Sequence, residues 1–138
     1  MGVVYGAGSL WQWRLHPEEP GHAPFFLAEN AGWREALNFE GSRYVGLMTR
    51  ILDGLPFTDM EPNWQVTLGR RGLLVPNKLY IGYISEGGRM MFFGDQVPRH
   101  YRLVDPRSGE VVGQGELDAD DPASLDIGSG PRVIVCYE

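Results

Sequence analysis

The stretch YGAGSLWQW, residues 5 to 13, gathers the side chains of greatest chemical interest in this sequence. Gly6 and Gly8 let the backbone bend, so that Tyr5, Trp11 and Trp13 can come near one another. Indole and phenol rings stack on the C–H faces of sugars, and a concave aromatic cluster is a common small-molecule site. Tyr5, Trp11 and Trp13 are therefore the candidate substrate-binding residues, with plain hydrophobic core as the competing reading. The same stretch imitates a dinucleotide-binding turn, with Gly6-Ala7-Gly8 after a β-branched run and Glu29 further on. That reading fails on three counts. Trp11 occupies the third glycine position, Pro17, Pro20 and Gly21 cut off the helix that must follow, and no further βαβ units come after.

Glycoside hydrolysis needs two carboxylates flanking the scissile bond. Glu29 ends the apolar run FFLA, as a catalytic acid at a strand end would, but no second acid stands at a matching strand end. Glu18 and Glu19 lie in a proline-flanked loop and are expected to be solvated, while Glu35 falls in a short helical stretch and is expected to pair with a basic residue. His16, His22 and His100 have no metal-ligand spacing and no HExxH or cysteine company, so they read as loop histidines. Ser9 lacks the flanking glycines of a nucleophile elbow. Cys136, the sole cysteine, cannot form an internal disulfide, and in the alternating run RVIVCYE it reads as a small buried hydrophobe. No catalytic residue, cofactor or metal is assigned.

These residues must be positioned by a chain of 138 residues, enough for one domain with a real core. The 43% apolar and 22% charged residues are ordinary for a globular protein. A net charge of −6, with Lys78 as the only lysine, argues against a nucleic-acid partner. The longest apolar run falls far short of the ~20 residues that cross a bilayer, so no membrane partner is expected. Met1 does not begin an export signal, and no compartment is assigned.

Up to about Thr58 the chain is aromatic and punctuated by glycine, with a short helix predicted around Gly32 to Leu37 and a longer one in GSRYVGLMTRILDGLP. In the longer helix Ser42 is the expected N-cap, Tyr44, Val45, Met48, Ile51 and Leu52 form the apolar stripe, and Gly54 with Pro56 is the stop. Gly46 inside it is expected to mark a close contact. From about Glu61 the chain reads as short strands: WQVTLG; then KLYIGYI and RMMFFG as a hairpin about Glu86-Gly87-Gly88; then HYRLV and EVVGQGEL about the turn Asp105-Pro106-Arg107-Ser108-Gly109. SLDIG and RVIVCYE, joined through Ser129-Gly130-Pro131, complete a small antiparallel sandwich or barrel.

Taken in order, YGAGSLWQW, GWREALNFEGSRYVGLMTRILDGLPFTDMEPN and a strand-rich tail containing VDPRSGEV resemble the C-terminal end of apiosidase-like glycoside hydrolases. In that family a (β/α)₈ barrel is followed by a small β-domain named for collagen binding. The resemblance implies an α+β, mostly β fold: residues 1–58 as the last barrel strand, loop and helix, and residues 59–138 as an antiparallel β-sandwich. It implies that Gly2 to Tyr5 form the strand, that Trp11 and Trp13 stand on the loop at its C-terminal face, where barrel enzymes place their sites, and that Ser42 to Leu55 form the last helix. The family's acid pair would lie on earlier strands, so the chain alone is expected to be non-catalytic. Its partners would be carbohydrate, through the parent barrel, and the missing barrel or a partner chain packed on residues 1–58. The chain departs from the family before Asp-Pro-Arg, where Leu103 and Val104 replace the usual aromatic and Tyr101 lies further back. Two other readings are an autonomous carbohydrate- or protein-binding module and an assembly module associating through Phe25, Phe26 and Trp33.

Overall fold

The computed structural model describes residues 31–120 and 122–138. The chain divides into two units, Met1–Gly46 and Leu47–Glu138, so that the boundary falls inside a helix.

In the described part of the first unit, α1 (Trp33–Ala36) follows an extended Gly32 and forms where the sequence predicts it. Helix α2 (Glu40–Leu52) starts earlier than expected. Ser42 is not its N-cap but lies in the first turn, where its hydroxyl donates to the carbonyls of Phe39 at 2.7 Å and Leu37 at 3.0 Å. A serine bonded backward in this way satisfies carbonyls of the preceding turn rather than orphan amides. The stop is as predicted: Gly54 takes φ +73°, and the Leu55 amide donates to the Leu52 carbonyl at 3.0 Å. Gly46 marks no close contact, since nothing described lies within 4 Å of where its Cβ would stand.

The second unit contains the rest of α2, a 3₁₀ turn (Phe57–Asp59) and eight strands. These are β1 (Glu61–Asn63), β2 (Gly72–Val75), β3 (Leu79–Ile84), β4 (Gly87–Phe92), β5 (His100–Val104), β6 (Val111–Glu116), β7 (Ala123–Ser129) and β8 (Arg132–Tyr137). Six form one antiparallel sheet in the order β1-β2-β3-β8-β5-β6, and β4 and β7 pair as a separate ribbon. The outcome is the expected one: mostly β, with small antiparallel sheets and one substantial helix.

Two strand readings are corrected. WQVTLG is a turn, because Asn63 Oδ1 accepts from the amides of Gln65 and Val66 at 3.0 and 3.2 Å and folds the chain back before a strand can continue. Leu68 and Gly69 then take positive φ, and the Gly69 amide donates to the Trp64 carbonyl at 2.8 Å. Nor do β3 and β4 form a hairpin. The β3/β8 ladder ends at Ile84↔Arg132, and the β4/β7 ladder begins at Gly87↔Ser129, so a paired ribbon passes from one sheet to the other. A register shift between Gly87 and Arg89 makes the bend, as bulges do where strands change sheets. Gly87 has φ +80°, and a Cβ there would stand 2.3 Å from the Gly128 carbonyl oxygen, so no other residue fits.

Strand alternation divides the core in two. Tyr80, Ile84, Leu103, Ile134 and Cys136 face the β4/β7 ribbon and pack with Met90, Phe92, Leu125 and Ile127. Leu79, Val104 and Val135 face the other way and pack with Ile51, Leu55 and Met60. The six-stranded sheet is thus covered on both faces, which is why RVIVCY reads as an almost unbroken apolar run. Within α2 the buried residues are Leu47 and Ile51, a face rotated from the predicted stripe. Leu47 meets the β5–β6 turn, where a Cβ on Gly109 would stand 2.9 Å from Leu47 Cδ2. Arg102 on β5 fastens the end of the helix, its Nη2 donating to the Ile51 carbonyl at 3.1 Å.

The β5–β6 turn is the one predicted. Asp105 accepts the Gly109 amide at 2.8 Å on its carbonyl and the Arg107 amide at 2.7 Å on Oδ1, while Gly109 takes φ +77°. Strand glycines are covered by cross-strand neighbours. Tyr101 lies over Gly115, and Leu103 over Gly113, each filling the space beside its glycine.

Cys136 is fully buried, as its strand position predicts, and burial pushes its thiol from the ordinary 9.0 up to about 12. Burial raises the Tyr80 hydroxyl as well. Both groups hold their protons more tightly folded than unfolded, so the unfolded chain loses protons first as pH rises. The contribution of Cys136 to stability is then intact below about pH 9 and is lost as pH rises from there toward 12. Urea unfolding at a series of alkaline pH values checks this, and Cys136→Ala is expected to flatten the slope.

Candidate functional site

Tyr5, Trp11 and Trp13 lie outside the described residues, as do Glu18, Glu19, Glu29, Ser9, His16, His22, Phe25 and Phe26. The remaining sequence candidates are separated rather than gathered. Glu35 is exposed on α1, and the ion pairs among the described residues are His100–Glu116 and Arg132–Asp105, so it has none of the pairing expected of it. His100 is not in a loop but opens β5, opposite Glu116 on β6, with Nδ1 3.3 Å from the carboxylate. Trp33 is half-buried, with the Arg34 guanidinium 4.3 Å from its ring centre. Among the described residues Thr67 is the buried polar side chain, and no carboxylate is buried in the apolar surroundings that raise a general acid. No cluster of three or more His, Cys, Asp and Glu among them is placed to hold a metal.

What the fold does bring together is an open groove of about 370 Å³ at the corner where β3 leaves the six-stranded sheet. Arg70, Arg71, Tyr83, Ser85, Glu86 and Gly87 line it. Gly72 pairs with Gly82, so Arg71, one residue before β2, stands opposite Tyr83 on the same face by strand alternation. Tyr83 is 58% exposed, unlike its neighbours Gly82 and Ile84, which face the core. The Thr67 hydroxyl donates to the Arg70 carbonyl at 2.7 Å and fixes the backbone that carries both arginines. Neither arginine has a carboxylate within 4.0 Å among the described residues, although the chain carries a net −6. The groove offers two guanidinium forks, a carboxylate, a hydroxyl and an aromatic face. Sequence spacing gave no sign of it, because its two halves belong to different turns.

The helix end adds a second kind of information. Ile51 and Leu55 are built into the core of the β unit, and the chain then enters its strands within a few residues. Residues 1–59 match the apiosidase-like catalytic domain. This apiosidase-like segment therefore ends at the 3₁₀ turn, after a helix whose last turn packs against the sheet. Two solved structures share the fold. One, titled a glycoside hydrolase, superposes with a TM-score of 0.69 at 19% identity, over 97% of this chain and 32% of its own. The other, a family 5 glycoside hydrolase from Bacteroides vulgatus, gives 0.69 at 15% identity over 97% and 32%. The chain spans about a third of the length of these structures. No curated protein matches it.

Proposed function

We propose that the chain forms the C-terminal portion of a glycoside-hydrolase-like protein, in which residues 1–58 complete a catalytic barrel and residues 59–138 are a non-catalytic β-domain attached to it. The observation that carries this reading is the double-faced sheet. The helix closing the apiosidase-like segment is part of the β unit's own core, through Ile51, Leu55 and the Arg102–Ile51 hydrogen bond.

In this reading carbohydrate is bound through the parent barrel, with Tyr5, Trp11 and Trp13 at its rim, and the acid pair comes from chain outside these residues. The chain as given is expected to hydrolyse no aryl glycoside, measured by release of a chromogenic phenol across a panel of sugars. Turnover above the uncatalysed rate, lost on Glu29→Gln, contradicts the proposal.

A further inference from the structure

We propose that the free edge of β6 pairs with the same edge of a second copy of the chain, joining two six-stranded sheets into one across a two-fold axis. The strand edges of the β unit differ in how well they are guarded. At one end of the large sheet β1 is three residues long and contains Pro62, which has no N–H to offer. In the ribbon, β4 carries Arg89 with a bulge beside it, and β7 carries Asp126. At the other end of the large sheet β6 is six residues long, has no proline, lysine or arginine, and pairs among the described residues with β5 alone. Val111 and Val112 on it are 51% and 49% exposed. Its one charge, Glu116, stands at the end of the strand, 3.3 Å from His100 Nδ1. The bulge between Leu103 and Val104 lies at the turn end, so the register from Gly113 to Glu116 is regular. Charges, prolines and bulges keep a sheet edge from accepting another strand, and the middle of β6 has none of them.

Alternation fixes which backbone groups are free. The Leu117 amide donates to the Arg99 carbonyl at 2.8 Å. Counting by twos along the ladder, Gly115 and Gly113 turn their N–H and C=O toward β5, while Gln114 and Glu116 turn theirs outward. A two-fold pairing centred on Gln114 sets these outward groups face to face, with Gln114 opposite Gln114 and Val112 opposite Glu116. Centring it on Gly113 instead opposes Glu110 to Glu116, like charges in direct apposition. In the Gln114 register the two Glu116 residues lie about 13 Å apart along the joint, beyond the Debye length of about 8 Å at physiological salt. Both copies use the same edge, so the contact closes at two.

A joint of one strand pair is smaller than the roughly 1,200–2,000 Å² of a stable interface, so the dimer is transient. The chain is a monomer at micromolar concentration and pairs as its concentration approaches millimolar. Each copy carries a net −6 and no opposite charges meet across the joint, so association strengthens as salt is raised.

Sedimentation equilibrium of the whole chain from micromolar to millimolar concentration, at low and high salt, tests the proposal, with amide exchange followed over the same range. A dimer favoured by salt is expected, with the amides of Gln114 and Glu116 slowing as it fills and those of Gly113 and Gly115 unchanged. Gln114→Lys and Gln114→Glu each set like charges face to face across the axis and should weaken the dimer about tenfold or more, whereas an equimolar mixture of the two should restore it. Gln114 is exposed and lies opposite Arg102 on β5, so melting curves of both variants are recorded. Should the lysine variant melt early beside Arg102, the glutamate variant, which gains an opposite charge there, carries the comparison with the parent. The proposal is overturned by a chain that stays monomeric at millimolar concentration, by variants that pair as the parent does, by a mixture no tighter than either variant alone, or by particles that grow beyond two. None of these outcomes touches the aryl glycoside assay, so the two proposals fail separately.

Discussion

A chain of residues 59–138 is expected to aggregate or to unfold near room temperature, whereas one of residues 47–138 stays folded and monomeric. The strands alone look like a complete domain in the sequence, but one face of their sheet is roofed by the end of α2. Leu79 is 1% exposed, Val104 2% and Val135 0%, and all three pack against Ile51, Leu55 and Met60. Starting at residue 59 removes two of these three covers and uncovers the side chains beneath. Burying each such side chain is worth about 1.5–3 kcal/mol, against a total stability of about 5–15 kcal/mol for a typical domain. Arg102 also loses the Ile51 carbonyl, and its Nε already lacks a partner. Sedimentation and thermal melting of the two chains check the expectation. As a milder version, Ile51→Ala in the whole chain should cost about 2–5 kcal/mol. A monomeric 59–138 with an unchanged melting temperature would show that α2 is an ornament on a self-sufficient sheet.

The second large effect concerns Tyr80 and the glycines beneath it. Gly72 and Gly82 are cross-strand partners, and the Tyr80 ring lies across both. A Cβ on Gly72 would stand 2.6 Å from Tyr80 Cε2 and hydroxyl, and one on Gly82 2.6 Å from the same hydroxyl. The ring cannot retreat, because it is fully buried and meets Phe92 edge-on at a centroid distance of 5.5 Å. Gly72→Ala or Gly82→Ala should therefore cost about 1–3 kcal/mol or more, the usual penalty of overpacking. Tyr80→Phe is expected to run the other way. The Tyr80 hydroxyl is buried without a hydrogen-bond partner, and Thr67, the side chain that favours its ionised form, gives its own proton to the Arg70 carbonyl. Removing an unsatisfied buried hydroxyl should be neutral or stabilise by about 1 kcal/mol. It should also rescue Gly82→Ala, whose nearest clash is with that oxygen, more than Gly72→Ala, which meets ring carbons too. Chemical unfolding of the three single and two double variants measures this. A Tyr80→Phe variant weaker by more than 1 kcal/mol would mean that Thr67 does hold the hydroxyl.

Features that depend on neighbouring residues were legible in the sequence. The Asp105–Gly109 turn, the Gly54 stop of α2 and the burial of Cys136 each follow from a local rule, and the structure has all three. Features that depend on distant partners were not. The Gly87-Gly88 signal between two apolar runs looks the same whether the strands fold back on each other or pass into a second sheet. What decides it is that β3 is already paired on both sides, by β2 and β8. WQVTLG has the composition of a strand, but the preceding Asn63 side chain captures its amides. The helix stripe was misplaced because Leu47 gains its partner from a turn some sixty residues later, at Gly109. The groove was invisible for the same reason: Arg70 and Arg71 precede β2, while Tyr83 to Gly87 end β3 and turn the corner. The aromatic cluster of Tyr5, Trp11 and Trp13 was legible as a candidate and remains a proposal.

The central claim is that the last turn of α2 and the middle of the sheet form one cooperative unit. Native-state hydrogen exchange tests it most directly, by comparing the amides of residues 48–52 with those of Ile134 to Cys136 in β8. The account expects both sets to open together, with matching free energies and the same response to denaturant. Helix amides that exchange freely while β8 stays protected would contradict it.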